Sequence, residues 1–264
     1  MEIKFEKWHG IGNDFIIVEN VEVTPEIAAK LCDRRFGIGA DGIFNAIKTP
    51  NADIGWNFYN SDGSIAQMCG NGIRCFAKYA YQKGLVNKKK FTVLTKRGIV
   101  IPEILDSGLV KVDMGEPIFE AEKIPVNAVN PMDFEVEGYR ASAVSMGNPH
   151  CLIFTNEDGK TLAKRDGAKI ENAKIFPEKT NVEFINVLNF SKIEVNVWER
   201  GCGITMACGT GACASVAAGV KKGLLDNKVE VMLPGGSLFI DYSDKNIFMT
   251  GEAEKVFEGV FYYN

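Results

Sequence analysis

Short runs of apolar and β-branched residues, separated by turn formers, recur along this chain, and helix-like stretches interrupt them. The pattern predicts strands over residues 3–7, 15–19, 43–48 and 53–59, and again over 139–144, 151–155, 182–188 and 193–198. The segment His9 to Asp14 reads as the turn between the first two strands, and Asn60-Ser61-Asp62-Gly63 as another turn. Thr24-Pro25-Glu26 is a helix start, an N-cap followed by proline at the first helical position, and that helix is expected to stop near Gly37. A more charged helix is expected within 160–172.

One pattern occurs twice. Met68-Cys69-Gly70-Asn71-Gly72 recurs 139 residues later as Ala207-Cys208-Gly209-Thr210-Gly211. Each copy opens a helix-like stretch that closes at Lys83-Gly84-Leu85 or Lys222-Gly223-Leu224, with the glycine fifteen residues after the cysteine in both. Each then enters a strand pair with a glycine turn, over 91–102 through Arg97-Gly98 and over 229–242 through Gly235-Gly236. A repeat of this length divides the chain into two halves of one design. The expected halves are residues 1–118 and 119–253, since the pattern weakens and prolines gather between Gly115 and Pro131. No low-complexity linker separates them, so close packing is expected.

The repeated motif has a definite chemistry. The first amides of a helix lack partners within it and carry the positive end of its dipole. Glycines beside the cysteine let a ligand approach those amides without meeting a Cβ, which suits a carboxylate. The same field is expected to lower the pKa of each thiol. Two such sites on opposite faces of a bound amino acid would let one thiol remove the α-proton while the other returns one. Taken alone, either cysteine would read as a small core residue; the duplication argues for function. Cys75, Cys213, Cys32 and Cys151 read as packing, and Cys202 is undecided.

Composition narrows the alternatives. The chain has 264 residues, 46% hydrophobic and 24% charged, with a net charge of −4. That balance and the lack of a basic run argue against nucleic acid. No eighteen-residue apolar run appears, so no membrane association and a cytoplasmic location are expected. Seven cysteines favour thiols over a disulfide framework. No metal site is expected, because there are only two histidines, His9 and His150, and no cysteine pair has zinc spacing. Gly37-Ile38-Gly39-Ala40-Asp41-Gly42 matches the dinucleotide fingerprint in form but follows a helix, which fails that motif's own context. A thiol redox or metal-binding protein is the non-enzymatic alternative.

Trp8-His9-Gly10-Ile11-Gly12-Asn13-Asp14-Phe15, Cys69-Gly70-Asn71-Gly72, Gly147-Asn148-Pro149-His150 and Glu199-Arg200-Gly201, running on to Ala207-Cys208-Gly209-Thr210-Gly211, resemble the diaminopimelate epimerase family, in its order and over the whole chain. The resemblance implies an α+β fold of two pseudo-symmetric halves, each a mixed sheet or barrel around a central helix, with the active site between them. A last strand over 254–264 would return to the first half. It also implies a homodimeric isomerase that needs no cofactor and inverts an α-carbon, LL-diaminopimelate to meso-diaminopimelate by default. Cys69 would be the base toward the L centre and Cys208 the opposing acid, with His150 and Glu199 beside them. The amides of Gly70, Asn71, Gly209 and Thr210 would hold the carboxylate. Asn13, Asn60, Asn148 and Asn181 would be amide ligands, and Arg200 would pair with a distal carboxylate. Asn60 and Glu199 each lie nine residues before their cysteine, which places them at equivalent strand ends. Two departures bear on the substrate: Ile204 stands where the family commonly has glutamate, and Gly42 where some members have glutamine. Another amino acid, such as histidine, is the alternative substrate.

Overall fold

The computed structural model describes residues 1–66 and 68–263. The first unit comprises residues 1–112 together with the C-terminal stretch from Gly251, and the second is Asp113–Thr250. These bounds lie close to, but not at, the expected ones.

In the first unit the elements run β1 (Glu2–Gly10), β2 (Asn13–Val18), α1 (Pro25–Cys32), β3 (Gly42–Ile47), β4 (Ile54–Asn60), α2 (Gly70–Gln82), β5 (Val93–Thr95) and β6 (Gly98–Val100). A hairpin of β7 (Pro102–Ile104) and β8 (Val110–Gly115) follows. In the second unit come β9 (Phe134–Val136), β10 (Tyr139–Ser145), β11 (Pro149–Phe154), α3 (Gly159–Glu171), β12 (Asn181–Asn189), β13 (Lys192–Glu199) and β14 (Gly203–Ile204). Then follow α4 (Gly209–Lys221), β15 (Lys228–Leu233), β16 (Gly236–Asp241) and β17 (Ile247–Gly251). The last strand, β18 (Glu254–Tyr262), pairs antiparallel with β1, Ile3 opposite Phe261.

The repeat seen in the motif extends to strand pairing. β1–β2 are antiparallel, β2–β3 parallel across α1, β3–β4 antiparallel, β4–β5 parallel across α2 and β5–β6 antiparallel. The second unit repeats this order with β10, β11, β12, β13, β15 and β16, with α3 and α4 at the two parallel crossovers. A parallel pair needs a long connection, and a helix supplies it. In both units the second crossover helix is buried nearly all round. In α2 only Lys78, Tyr81 and Gln82 escape burial; in α4 only Thr210, Val220 and Lys221 do. α4 is small or apolar on nearly every face, as suits a helix inside a core, whereas α2 also buries Asn71 and Arg74. Phe15, Phe44, Trp56, Phe58 and Phe76 pack ring against ring around α2 at 5.2–5.9 Å.

Several expected elements shift. The first turn contracts to Ile11 and Gly12, whose φ values of 48° and 85° make a two-residue hairpin loop, so His9 and Asn13 belong to strands. Helix α1 ends at Cys32, not near Gly37. The Asp33 carboxylate accepts from the amides of Arg35 and Phe36 and turns the chain out of the helix. Strands β7, β8, β9, β14 and β17 were not anticipated, being short or set among turn residues. No helix among the described residues is long and apolar enough to cross a membrane.

Helix α3 packs on the second sheet through Gly167, where a Cβ would lie 2.6 Å from the Trp198 side chain. Gly167→Ala is therefore expected to destabilise the fold by about 1–3 kcal/mol through overpacking, whatever alanine gains in helix propensity. Thermal unfolding checks this; a rise in Tm would refute the close approach.

Candidate active site

Both cysteines of the repeat are helix N-caps. Cys69 has φ −136° and ψ 122°, and its sulfur accepts from the Gly72 amide at 3.4 Å. Cys208 has φ −121° and ψ 104°, and its sulfur accepts from the Gly211 amide at 3.3 Å. A thiol thus fills the capping place usually held by a hydroxyl or carboxylate oxygen. Gly70 and Gly209 stand at the first helical position of α2 and α4, so neither next amide is screened by a side chain.

Two side-chain amides, Asn13 and Asn71, stand beside Cys69. The Asn13 carbonyl oxygen lies 3.5 Å from the Cys69 sulfur and accepts from the Asn71 amide nitrogen at 3.1 Å. The Asn13 nitrogen donates in turn to Asp41 at 2.6 Å. Sequence reasoning missed Asp41; its signal lay in the glycine-rich segment set aside as a dinucleotide motif. Arg34 bonds both Asp41 and Asp14, and Lys7 reaches Asp14 and the Gly39 carbonyl. Burial alone would raise the Asp14 carboxyl, but hydrogen bonds from Arg34 and Lys7 outweigh it and hold the group well below the usual carboxylate range. The cluster clamps the β1–β2 hairpin that carries Asn13. Asn60 ends β4, yet its side chain bonds Ser64 at 2.9 Å inside its own turn and not the thiol's neighbours.

Around Cys208 the polar groups include carboxyls. The Thr210 hydroxyl lies 3.5 Å from the sulfur and accepts from Asn148 at 3.3 Å. The Asn148 oxygen faces His150 Nε2 at 3.1 Å, and His150 Nδ1 meets Glu183 Oε1 at 2.6 Å. Glu199 ends β13, receives the Thr205 hydroxyl at 2.5 Å and acts electrostatically on Cys208. Glu183 was also missed, although an acidic residue inside the apolar run Val182-Glu183-Phe184-Ile185 was its signal. A Cβ at Gly211 would stand 2.5 Å from Glu183 Oε1 and 3.2 Å from the Cys208 sulfur, so the carboxyl rests on the first turn of α4.

Asn181 is bonded to backbone, donating to the Pro149 carbonyl at 2.9 Å and accepting the Arg200 amide at 2.9 Å. It fixes the corner after Glu199, which Glu171 also holds through Trp198 and the Gly201 amide. The exposed Arg200 guanidinium reaches the Glu178 carbonyl at 3.0 Å. Ile204 is 51% exposed, opposite Trp198 in the β13–β14 pair. At Gly42 a Cβ would lie 2.6 Å from the Phe58 ring, so packing requires glycine in this backbone.

The expected lowering of both thiols does not hold for Cys208. Burial, reinforced by the Glu199 and Glu183 carboxyls, pushes its thiol well above the ordinary range, and the bonds from Thr210 and Gly211 do not offset that. Burial likewise raises Glu199, against the hydrogen bond from Thr205. Ligand atoms of His150, Glu183 and Cys208 lie within 4.8 Å of one another. The short His150–Glu183 hydrogen bond occupies the space between two of them, and we read the group as a hydrogen-bonded cluster.

The sequence model of diaminopimelate epimerase matches residues 5–120 and 142–256. Diaminopimelate epimerase of Pelotomaculum thermopropionicum is 47% identical over 98% of this chain and 99% of that protein. The enzyme of Carboxydothermus hydrogenoformans is 46% identical over 98% and 100%.

The chain belongs to the diaminopimelate epimerase family.

It is therefore an isomerase of the epimerase class. The fold is shared more widely. A Bacillus anthracis phenazine biosynthesis protein of the PhzF family superposes with a TM-score of 0.74 over 100% of both chains at 16% identity. A hydroxyproline epimerase of Agrobacterium vitis does so with a TM-score of 0.67 over 98% of this chain and 92% of that one, at 13% identity.

The raised thiol has a direct consequence. Alkylation of Cys208 by iodoacetamide, followed by mass spectrometry of its peptide, is expected to rise with pH with a midpoint above about 8.5, where an ordinary thiol is half ionised. A midpoint at or below that pH would contradict the arrangement.

Proposed function

We propose that this protein epimerises LL-diaminopimelate to meso-diaminopimelate without a cofactor, by proton transfer at two cysteines. The observation that carries the reading is the doubled thiol N-cap, the same backbone geometry and the same Sγ–amide bond at the start of two buried helices. Each N-terminus is suited to a carboxylate, held by the amides of Gly70 and Asn71 in one unit and of Gly209 and Thr210 in the other. The thiols differ in their surroundings, which suits opposite roles. Cys208, kept protonated by burial and neighbouring carboxyls, starts as the acid for the L substrate, and Cys69, among amides, starts as the base. After one turnover their protonation states are exchanged, and the reverse reaction restores them. His150, Asn148 and Glu199 shape the acid's surroundings, Asn13 the base's.

The substrate takes one thiol to each face of its α-carbon, and Arg200 pairs with its distal carboxylate. The names of the relatives above support diaminopimelate as the substrate. The protein works in the cytoplasm as a homodimer. Val256, Phe257, Val260 and Tyr262, exposed on the edge strand β18, suit a surface covered by a second copy.

Cys69→Ala and Cys208→Ala are each expected to abolish epimerisation of LL-diaminopimelate, followed by chiral chromatography, whereas Cys75→Ala and Cys213→Ala retain it. Activity is expected to survive dialysis against hydroxylamine, which strips pyridoxal phosphate. Turnover of histidine with none of LL-diaminopimelate would overturn the substrate and leave the two-thiol mechanism standing.

Arg200→Met is expected to lower kcat/KM for the dicarboxylate by roughly 10–1000-fold, the scale of a lost charged hydrogen bond. The same change should leave a monocarboxylic amino acid much less affected. Equal losses for both substrate classes would remove Arg200 from distal recognition.

A further inference from the structure

Glu183 and His150 are completely buried, and neither the repeat nor the family resemblance pointed to Glu183. We infer that Glu183 is a positioning residue that shares one buried proton with His150 and thereby orients Asn148 and Thr210 beside Cys208. The inference rests on the two-thiol reading of the site.

The hydrogen bonds themselves count the proton. An amide oxygen can only accept, so the Asn148 oxygen 3.1 Å from His150 Nε2 requires a hydrogen on that nitrogen. A neutral imidazole carries one N–H. With it on Nε2, the 2.6 Å contact between Nδ1 and Glu183 Oε1 needs one more hydrogen. Either a protonated Glu183 donates to a bare Nδ1, or a protonated ring donates to the carboxylate. Both forms hold one proton between the two atoms and leave the pair neutral overall.

The remaining form, an ionised Glu183 with a neutral ring protonated on Nδ1, is disfavoured twice over. It would set a bare Nε2 against the Asn148 oxygen, lone pair to lone pair. It would also bury an uncompensated charge whose second oxygen, Oε2, has no hydrogen-bond partner among the described residues. The other ionisable groups facing the pair are Cys151 on β11, Glu199 at the end of β13 and Cys208 at the start of α4. Each of them is neutral or negative, and none favours a further negative charge. Burial accordingly pushes the Glu183 carboxyl up, against the pull of His150.

The consequence passes along a chain of four bonds. A hydrogen on Nε2 turns the Asn148 oxygen toward the ring, which leaves its nitrogen to donate to Thr210 Oγ1 at 3.3 Å. Thr210 is then an oriented neighbour of the Cys208 sulfur, 3.5 Å away. Loss of the shared proton removes the reason for that amide orientation.

The test uses the whole enzyme labelled with nitrogen-15 in histidine. Only His9 and His150 contribute, and a His9→Gln variant assigns them. Near pH 7 the expected spectrum shows His150 protonated on Nε2. In Glu183→Gln the carboxamide donates to Nδ1 without being able to ionise. It should keep the Nε2 hydrogen, hold kcat within about threefold of the parent, and move the alkaline limb of the rate profile upward. Glu183→Leu offers no partner and should lower kcat by roughly 10–100-fold with KM little changed, the scale on which partners that orient a functional histidine act. A bare Nε2 at pH 7, or a Glu183→Gln enzyme as slow as Glu183→Leu, overturns the proposal. Epimerisation that survives Cys208→Ala would sink the two-thiol reading, and the pair's role beside that thiol, by a result separate from the nitrogen spectrum.

Discussion

A helix buried on every face cannot leave its first amides to water, and the chemistry of this protein follows from how that constraint is met. α2 and α4 lie within their units, so a partner for an early N–H must come from the chain itself or from a ligand. One sulfur atom takes one amide in each helix, and a glycine stands at the first helical position beside it. In the proposed mechanism the cap and the reactive group are therefore the same atom. Moving the thiol to suit catalysis would uncap the helix, and improving the cap with serine would remove the thiol.

The scaffold is symmetric, but its furnishing is not. The order of parallel and antiparallel pairs is the same in both units, so the cysteines inherit equivalent positions. What surrounds them comes from strands that have diverged. β1 and β2 bring Asn13, steadied by Asp41 and Arg34, to the first sulfur. β11, β12 and β13 bring His150, Glu183 and Glu199 to the second. The carboxyls beside Cys208 mark that thiol before any substrate arrives.

What the sequence revealed depended on whether the signal was local. The doubled Cys-Gly-x-Gly and the proline-marked start of α1 are local chemistry, and both were legible. Position along a strand was legible too, which placed Asn60 and Glu199 at matching strand ends. Partners were not. Asn60 turned to its own loop, Asn181 went to backbone, and the carboxyls that hold Asn13 and His150 come from segments 28 and 33 residues away in the chain. The lowering expected from the helix field does not appear at Cys208, because burial and two carboxyls act there together and none of them is visible from the motif. The short strands β7, β8 and β17 escaped for a similar reason: few residues carry their alternation, and pairing with neighbours supplies the rest.

The pairing of β18 with β1 ties the last strand of the chain to the first, Glu2 opposite Tyr262. The second unit is in consequence an uninterrupted insertion between two parts of the first. During synthesis from the N-terminus, residues 113–250 emerge as a complete folding unit while the first sheet still lacks its edge. The first unit is thus the last to be finished: β1 finds β2 early, but its other edge waits for β18 until the second unit has been made.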